Sequence, residues 1–141
     1  MCRHVYDEEY YGRILQRLDC PATSNAVGDR HYAASRLFPR EELYGPTNQL
    51  RRAAVSVPSN MAEGQARFSR KEFHHFLSLA RGSIVEIETQ LIIATNLGYL
   101  STSQSRELLV KAGELGRIVN GLLHRSSERL KLSRSISNSP F

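Results

Sequence analysis

The chain has 141 residues, enough for one domain, and its 40% hydrophobic and 23% charged residues are ordinary for a globular protein. No apolar run reaches the about 20 residues of a membrane-spanning helix, and the start Met1-Cys2-Arg3-His4 lacks the apolar stretch of a signal peptide. We therefore expect a cytoplasmic protein without membrane contact. The formal net charge of +5 allows attraction to nucleic acid, although many small proteins carry such a charge for solubility alone.

Residues 1–30 form the least regular part of the chain. Apolar residues recur at helical spacing over about 5–18 and predict an amphipathic helix there. Residues 19–29 are rich in turn formers and predict a loop. Because Cys20-Pro21 and Gly28 would interrupt a longer helix, the sequence predicts an atypical, broken first helix.

The next two predicted helices have clearer boundaries. A short helix over 31–38 should end before Pro39, because proline disfavours helical geometry in the preceding residue. For the helix after it, Thr47 is the candidate N-cap, Pro58 the candidate kink and Gly64 the stop signal. The apolar stripe of that helix comprises Leu50, Ala53, Ala54, Val57 and Met61.

The strongest helical pattern starts at Ser69, since Ser69 and Glu72 match the capping-box spacing. The apolar positions that follow alternate in steps of three and four, as in a bundle seam, and end near Asn96-Leu97. A last helix should begin near Ser101. Helices joined by short loops without strand alternation predict an all-α, up-down four-helix bundle.

These elements divide the chain into three predicted parts. Residues 1–30 form the atypical N-terminal segment, and residues 31–132 form the four-helix-bundle domain. Residues 133–141 are rich in serine and predict a disordered tail.

A specific residue pattern runs through the middle of the chain. Its parts are Phe38-Pro39-Arg40-Glu41-Glu42-Leu43-Tyr44-Gly45, residues 49–64, residues 76–91 and Leu97-Gly98-Tyr99-Leu100. In this order they resemble the four-helix-bundle family encoded within intervening sequences of bacterial 23S ribosomal RNA genes. The resemblance is dense over 37–100 and looser over the last helix. Pro46 departs from it by standing where leucine is more usual, and residues 1–30 do not look like the family's long first helix.

The resemblance implies a four-helix fold and self-assembly, with a homopentamer as the expected oligomer. Relatives include the accessory variability protein of diversity-generating retroelements. That protein is a five-subunit ring whose basic surface is thought to engage nucleic acid and a reverse transcriptase. The partners implied for this chain are therefore other copies of itself, RNA or DNA, or a nucleic-acid enzyme.

Polar residues on the second and third predicted helices share helix faces. One interpretation makes Glu63 and Glu86 a catalytic carboxylate pair. A di-metal centre would need Glu-x-x-His motifs, which the sequence lacks. We favour a structural hydrogen-bonded network. Its members would be Arg52, Ser56, Asn60, Glu63, Ser83, Glu86 and Gln90.

No sequence motif indicates catalysis or metal binding. The adjacent His74 and His75 point about 100° apart on a helix, unlike the i, i+4 pair that chelates a metal. Cys2 and Cys20 show no metal-ligand spacing, so we treat them as unpaired thiols. No phosphate-binding glycine loop or nucleophile elbow occurs. We therefore expect neither a cofactor nor an enzyme.

Basic residues form two groups, one around the turn before the third helix and one in the last helix. Arg67, Arg70 and Lys71 bracket that turn, and a helix start can hold phosphate through side chains and free amides. The alternative is a solvated face with ion pairs such as Glu128 with Arg125. The candidate nucleic-acid-binding residues are Arg51, Arg67, Arg70, Lys71, Arg81, Arg117 and Arg125.

The sequence thus predicts a non-catalytic, oligomeric helical bundle that presents a basic surface to RNA, DNA or a nucleoprotein. The first alternative is an interaction scaffold that binds only protein. A hydrolase using Glu63 or Glu86 is the second alternative.

Overall fold

A computed structural model describes residues 20–137, and these residues fold into four α-helices. Their bounds are Cys20–Ala34 for α1, Pro46–Gln65 for α2, Arg70–Asn96 for α3 and Thr102–Ser137 for α4. Two 3-10 turns, Ser35–Leu37 and Arg40–Glu42, connect α1 to α2. No strand occurs within residues 20–137, which confirms the predicted all-α four-helix bundle. The helix predicted over 5–18 lies outside the described residues.

Each helix packs on the next along the chain, and α1 also packs on α4, so the four helices surround one core. The bundle therefore has two ends, which we name after one residue of each. The Tyr99 end holds the α1–α2 and α3–α4 connections. The Ser69 end holds the α2–α3 turn and the C-terminal part of α4. No helix within the described part of the chain has the length and apolar character needed to cross a membrane.

Most of the core comes from the apolar stripes that the sequence predicts for the helices after residue 45. Full burial of one leucine or isoleucine side chain stabilises a fold by about 1.5–3 kcal/mol, so this set supplies much of the stability. The largest fully buried apolar side chains are Leu50, Leu77, Ile84, Ile87, Leu91, Leu115 and Leu122.

The loop predicted over 19–29 is wrong, because residues 20–34 are continuously helical and form α1. Gly28 does not interrupt the helix. It lies in the helix interior, where an added Cβ would stand 2.8 Å from the carbonyl oxygen of Ala54 on α2. The buried positions of α1 recur at helical spacing but are mostly small or polar, which is why a search for large apolar residues missed them. They are Ser24, Val27, Gly28, His31 and Ala34.

The ends of α2 differ from the prediction. Gly45 occupies the N-cap position and Pro46 the first turn, so Thr47 is not the cap. Proline suits this place because its fixed φ is helical and its missing N–H would be unpaired there anyway. Gly64 does not stop the helix, which continues to Gln65. Instead, a Cβ on Gly64 would lie 2.9 Å from the Cβ of Phe76, so this glycine allows α3 to pack closely.

The start and end of α3 follow the prediction. The Ser69 hydroxyl accepts a hydrogen bond from the Glu72 amide at 3.4 Å, as expected of a capping box. The helix ends at Asn96, and Gly98 follows with a φ of +80°. Glycine adopts this left-handed conformation without steric cost, which explains the turn at this position.

Helix α4 starts with a reciprocal cap and ends later than predicted. The Ser101 hydroxyl accepts from the Gln104 amide at 3.1 Å, and the Gln104 side chain accepts from the Ser101 amide at 3.0 Å. The helix then continues to Ser137, past residue 133, where the disordered tail was predicted to begin. No glycine or proline interrupts residues 122–137, and extending an existing helix costs little.

Candidate nucleic-acid interface and polar network

A short chain of hydrogen bonds connects α2 to α3. The Ser83 hydroxyl donates to the Leu79 carbonyl at 3.2 Å, which leaves the Ser56 hydroxyl to donate to the Ser83 oxygen at 2.8 Å. The Asn60 side-chain amide donates to the Ser56 hydroxyl oxygen at 2.9 Å and to the Ser56 carbonyl at 2.8 Å. The predicted structural network therefore exists among Ser56, Asn60 and Ser83.

The other predicted members do not join this network. Arg52 is exposed, and Glu63 accepts from Arg67 instead. Glu86 and Gln90 are half-buried on α3, and within residues 20–137 neither has a hydrogen bond to the serine pair.

The helix register also separates the two candidate catalytic carboxylates. Gly64 lies opposite Phe76, which places Glu63 about ten residues, or about 15 Å, along α3 from Glu86. Two carboxylates that act on one substrate bond lie about 5–10 Å apart. This geometry does not support a Glu63–Glu86 acid–base pair.

Arg67, a candidate phosphate ligand, is engaged within its own chain. Its guanidinium donates to the Glu63 carboxylate and lies 3.8 Å from the Glu72 carboxylate. It also lies 5.1 Å above the ring of Phe76. A phosphate would have to compete with two carboxylates for the Arg67 guanidinium. Arg67 is therefore better suited to stabilising the α2–α3 turn than to binding phosphate.

Two other candidate arginines link helices. Arg51 donates from Nε to the Ser35 hydroxyl at 2.8 Å, and its guanidinium lies 5.1 Å from the centre of the Tyr32 ring. Arg81 donates from Nε to Asn120 Oδ1 at 2.9 Å and so connects α3 to α4. Within the described residues, the buried Nη1 of Arg81 has no hydrogen-bond partner.

The remaining candidates are more accessible, and most lie at the Ser69 end. Lys71, Arg117 and Arg125 are exposed, and none has an ion pair within residues 20–137. Burial, and secondly the positive charge of Arg129, lower the pKa of Arg70. The two arginines therefore lie close enough on α3 and α4 to repel each other.

The alignment of α3 with α4 places further basic residues of α4 at the same end. Because Arg81 lies beside Asn120, the first turn of α3 lies beside residues near 130, and the rest of α4 projects past it by about 9 Å. Positive side chains of both helices lie at this end of the bundle, on more than one face of α4, and we call them the Ser69-end cluster. They are Arg70, Lys71, Arg125, Arg129, Lys131 and Arg134.

The carboxylates near this cluster already have partners. Glu63 and Glu72 share Arg67, and Glu128 lies 3.4 Å from Nε2 of His124. The Glu128–Arg125 ion pair named in the alternative interpretation does not form within the described residues. The positive charge of the cluster is therefore only partly offset.

His31 is a buried polar residue whose position the sequence did not reveal. Its Nδ1 lies 2.6 Å from the Val27 carbonyl on α1, and its Nε2 lies 3.1 Å from the Leu108 carbonyl on α4. Burial lowers the pKa of His31, and this effect exceeds the opposing effect of the two carbonyls. The small and polar buried face of α1 was the signal that could have placed it.

No group of three or more His, Cys, Asp or Glu side chains within the described range is arranged to hold a metal ion. His74 and His75 lie side by side on α3, where His74 is half-buried and His75 is exposed.

Comparison with known proteins identifies one family. The family described as 23S rRNA-intervening sequence protein matches residues 16–121 of the 141-residue chain. The match confirms the resemblance seen in residues 37–100. It also includes residues 16–30, which the sequence pattern alone had set apart from the family. No curated protein matches the sequence.

Proposed function

This chain belongs to the 23S rRNA-intervening sequence protein family, and from that premise we propose that it is a non-catalytic, self-assembling bundle that binds nucleic acid through its Ser69-end cluster. RNA, DNA or a nucleoprotein such as a reverse transcriptase complex would be the partner, in the cytoplasm. The homopentamer implied by the resemblance is the assembly that we propose.

One observation carries the nucleic-acid part of the proposal. Basic residues that are far apart in sequence lie at one end of the bundle, where they outnumber the neighbouring carboxylates Glu63, Glu72 and Glu128. The projecting end of α4 lets Lys131 and Arg134 reach a ligand without displacing a core contact. Such a cluster attracts phosphates without reading bases, so we expect binding with little sequence preference.

Salt dependence tests this proposal sharply. Four exposed cations contacting phosphates should give a slope of about −3 to −4 in a plot of log affinity against log salt concentration. These four are Lys71, Arg125, Lys131 and Arg134. The measurement is fluorescence anisotropy of labelled single- and double-stranded RNA and DNA, from low to near-physiological salt.

A pair of matched double variants locates the contact. Lys71→Ala with Arg125→Ala should weaken binding and reduce the magnitude of the salt slope by about 2. Arg36→Ala with Arg52→Ala removes the same charge from exposed positions outside the cluster, and should leave most of the affinity. Equal losses in the two double variants would indicate attraction to net charge alone. No binding at low salt would refute the nucleic-acid part.

The alternative is a scaffold that binds only protein. An open apolar groove between α3 and α4 favours it, because exposed apolar surface marks protein contacts more often than phosphate contacts. Failure of every nucleic acid to bind, together with retained self-assembly, would favour this alternative.

A further inference from the structure

The groove between α3 and α4 is an apolar surface at the Tyr99 end. It encloses about 530 Å³, and its floor includes Ile92, Leu109 and Val110. Ile92 and Val110 are each 51% exposed, although both are large apolar residues. Arg106 and Arg117 also line the groove, and none of the described residues that line it is acidic. A fitting partner therefore combines apolar side chains with a carboxylate.

Gly113 deepens this groove. An added Cβ at Gly113 would meet nothing within 4 Å, so no contact inside the bundle requires glycine at this position. Glycine in a helix is about 1 kcal/mol less favourable than alanine. The missing side chain leaves room on the surface of α4 beside Val110 and Arg117.

A surface of complementary character protrudes from the same chain. Residues 40–44, which we call the knob, form the second 3-10 turn and the residues just after it. Tyr44 is 92% exposed and Leu43 is 45% exposed. The exposed Glu41 stands on the same turn, and the knob as a whole has two carboxylates against one guanidinium. Tyrosine is among the residues that contribute most energy to protein interfaces.

The knob is held in place by the bundle. The Tyr99 hydroxyl donates to the Glu42 carboxylate at 2.7 Å, and this hydrogen bond, followed by burial, raises the pKa of Tyr99. The Tyr99 ring packs on the buried Phe38 with ring centroids 5.6 Å apart. Because its base is anchored, the knob needs little ordering on binding, which favours affinity.

The knob and the groove are separate surfaces at the same end of the bundle. The knob connects α1 to α2, whereas the groove runs between α3 and α4, and both are at the Tyr99 end. Two unlike, complementary surfaces on one chain produce head-to-tail contacts, and these close into a ring when the rotation between subunits allows it.

We propose that the knob of one copy of this chain inserts into the groove of the next copy. Tyr44 and Leu43 fill the apolar floor, and Glu41 faces Arg106 or Arg117. This inference rests on the self-assembly proposed above and assigns its two surfaces. A second copy is the occupant that the structure favours, because the chain itself carries the apolar and acidic protrusion that the groove fits.

The first test compares masses by light scattering in line with size-exclusion chromatography. The wild-type protein should form an oligomer of 16.0 kDa subunits. Tyr44→Ala removes the exposed ring, and Gly113→Leu fills the groove at an open position. Each variant should reduce the mass to one subunit while the circular dichroism stays helical. Gly121→Leu is the matched control, because Gly121 lies on the same helix, has open space and does not line the groove.

Mixing the two variants gives the decisive result. Tyr44→Ala keeps its groove and Gly113→Leu keeps its knob, so an equimolar mixture should form dimers of two subunits and nothing larger. A wild-type monomer would refute self-assembly itself. A wild-type oligomer that either variant leaves intact, or monomeric variants whose mixture stays monomeric, would overturn the knob-and-groove contact while self-assembly stands.

Discussion

Gly28 of α1 packs against the carbonyl oxygen of Ala54, and this carbonyl is the one that Pro58 leaves without its helical hydrogen bond. In an α-helix each carbonyl accepts from the amide four residues later, and proline has no amide hydrogen. Pro58 itself lies against the same glycine, since an added Cβ would stand 3.4 Å from its Cγ. The two residues that look like separate helix breakers in the sequence therefore form one contact between α1 and α2.

Replacing Gly28 tests this contact. Gly28→Ala should destabilise the protein by about 1–3 kcal/mol, because the new Cβ would overlap the Ala54 carbonyl, which is backbone and cannot swing aside. Helix propensity alone would predict the opposite, a gain of about 1 kcal/mol. Urea unfolding followed by circular dichroism decides between the two signs. Gly121→Ala, at an open position of α4, is the control and should stabilise the protein.

Parts of this fold could be predicted from the sequence because they depend on interactions between residues that are near each other in the chain. Ser69 with Glu72 and the glycine at 98 set the ends of α3 through contacts with near neighbours in the chain. The buried face of α1 carried no such signal, because residues such as Ser24 and His31 become buried only through packing on other helices.

The candidate interface was predicted only in part, for a similar reason. Arg67 and Lys71 look alike in the sequence, yet only Arg67 is paired with carboxylates within the described residues. The meeting of the two basic groups at the Ser69 end depends on the register of α3 against α4, set by contacts such as Arg81 with Asn120. Such register is a tertiary property that spacing along one helix does not reveal.

The Ser56–Ser83 hydrogen bond gives a second stability prediction. Ser83→Ala should cost about 1 kcal/mol, because it leaves the partly buried Ser56 hydroxyl without its acceptor. A double-mutant cycle with Ser56→Ala should yield a coupling energy of about 0.5–1.5 kcal/mol. Urea unfolding of the four proteins measures it. Additive losses would mean that the two serines do not stabilise the α2–α3 contact together.

Substitutions at Gly98 test how backbone conformation alone affects stability. Its φ is +80°, yet an added Cβ would meet nothing within 4 Å. Gly98→Ala should therefore destabilise the protein by about 1–2 kcal/mol through backbone strain alone. Gly98→Asn should cost less, since asparagine tolerates the left-handed region better. Thermal unfolding of both variants checks this order, and equal losses would contradict the backbone explanation.

The burial of His31 between α1 and α4 makes stability depend on pH. A neutral imidazole has one N–H and can donate to only one of the Val27 and Leu108 carbonyls, yet burial keeps the folded-state pKa below the ordinary 6.5. Arg30 also disfavours the charged ring, and its own charge is partly offset by Glu107 of α4 at 3.2 Å. The unfolded chain consequently binds a proton at His31 more readily than the folded chain does.

The lowered pKa of His31 makes the protein less stable as the pH falls. At pH 8 the ring is neutral in both states, and its contribution to the free energy of unfolding is constant. As the pH falls through 6.5 the unfolded state gains the proton first, so stability decreases until the folded-state pKa is passed. Urea midpoints between pH 8 and pH 5 should therefore fall more steeply for the wild-type protein than for His31→Gln. His75→Gln is the control and should keep the wild-type slope, because the His75 side chain is exposed on the surface of α3. Parallel slopes for wild type and His31→Gln would show that His31 remains equally protonated on folding.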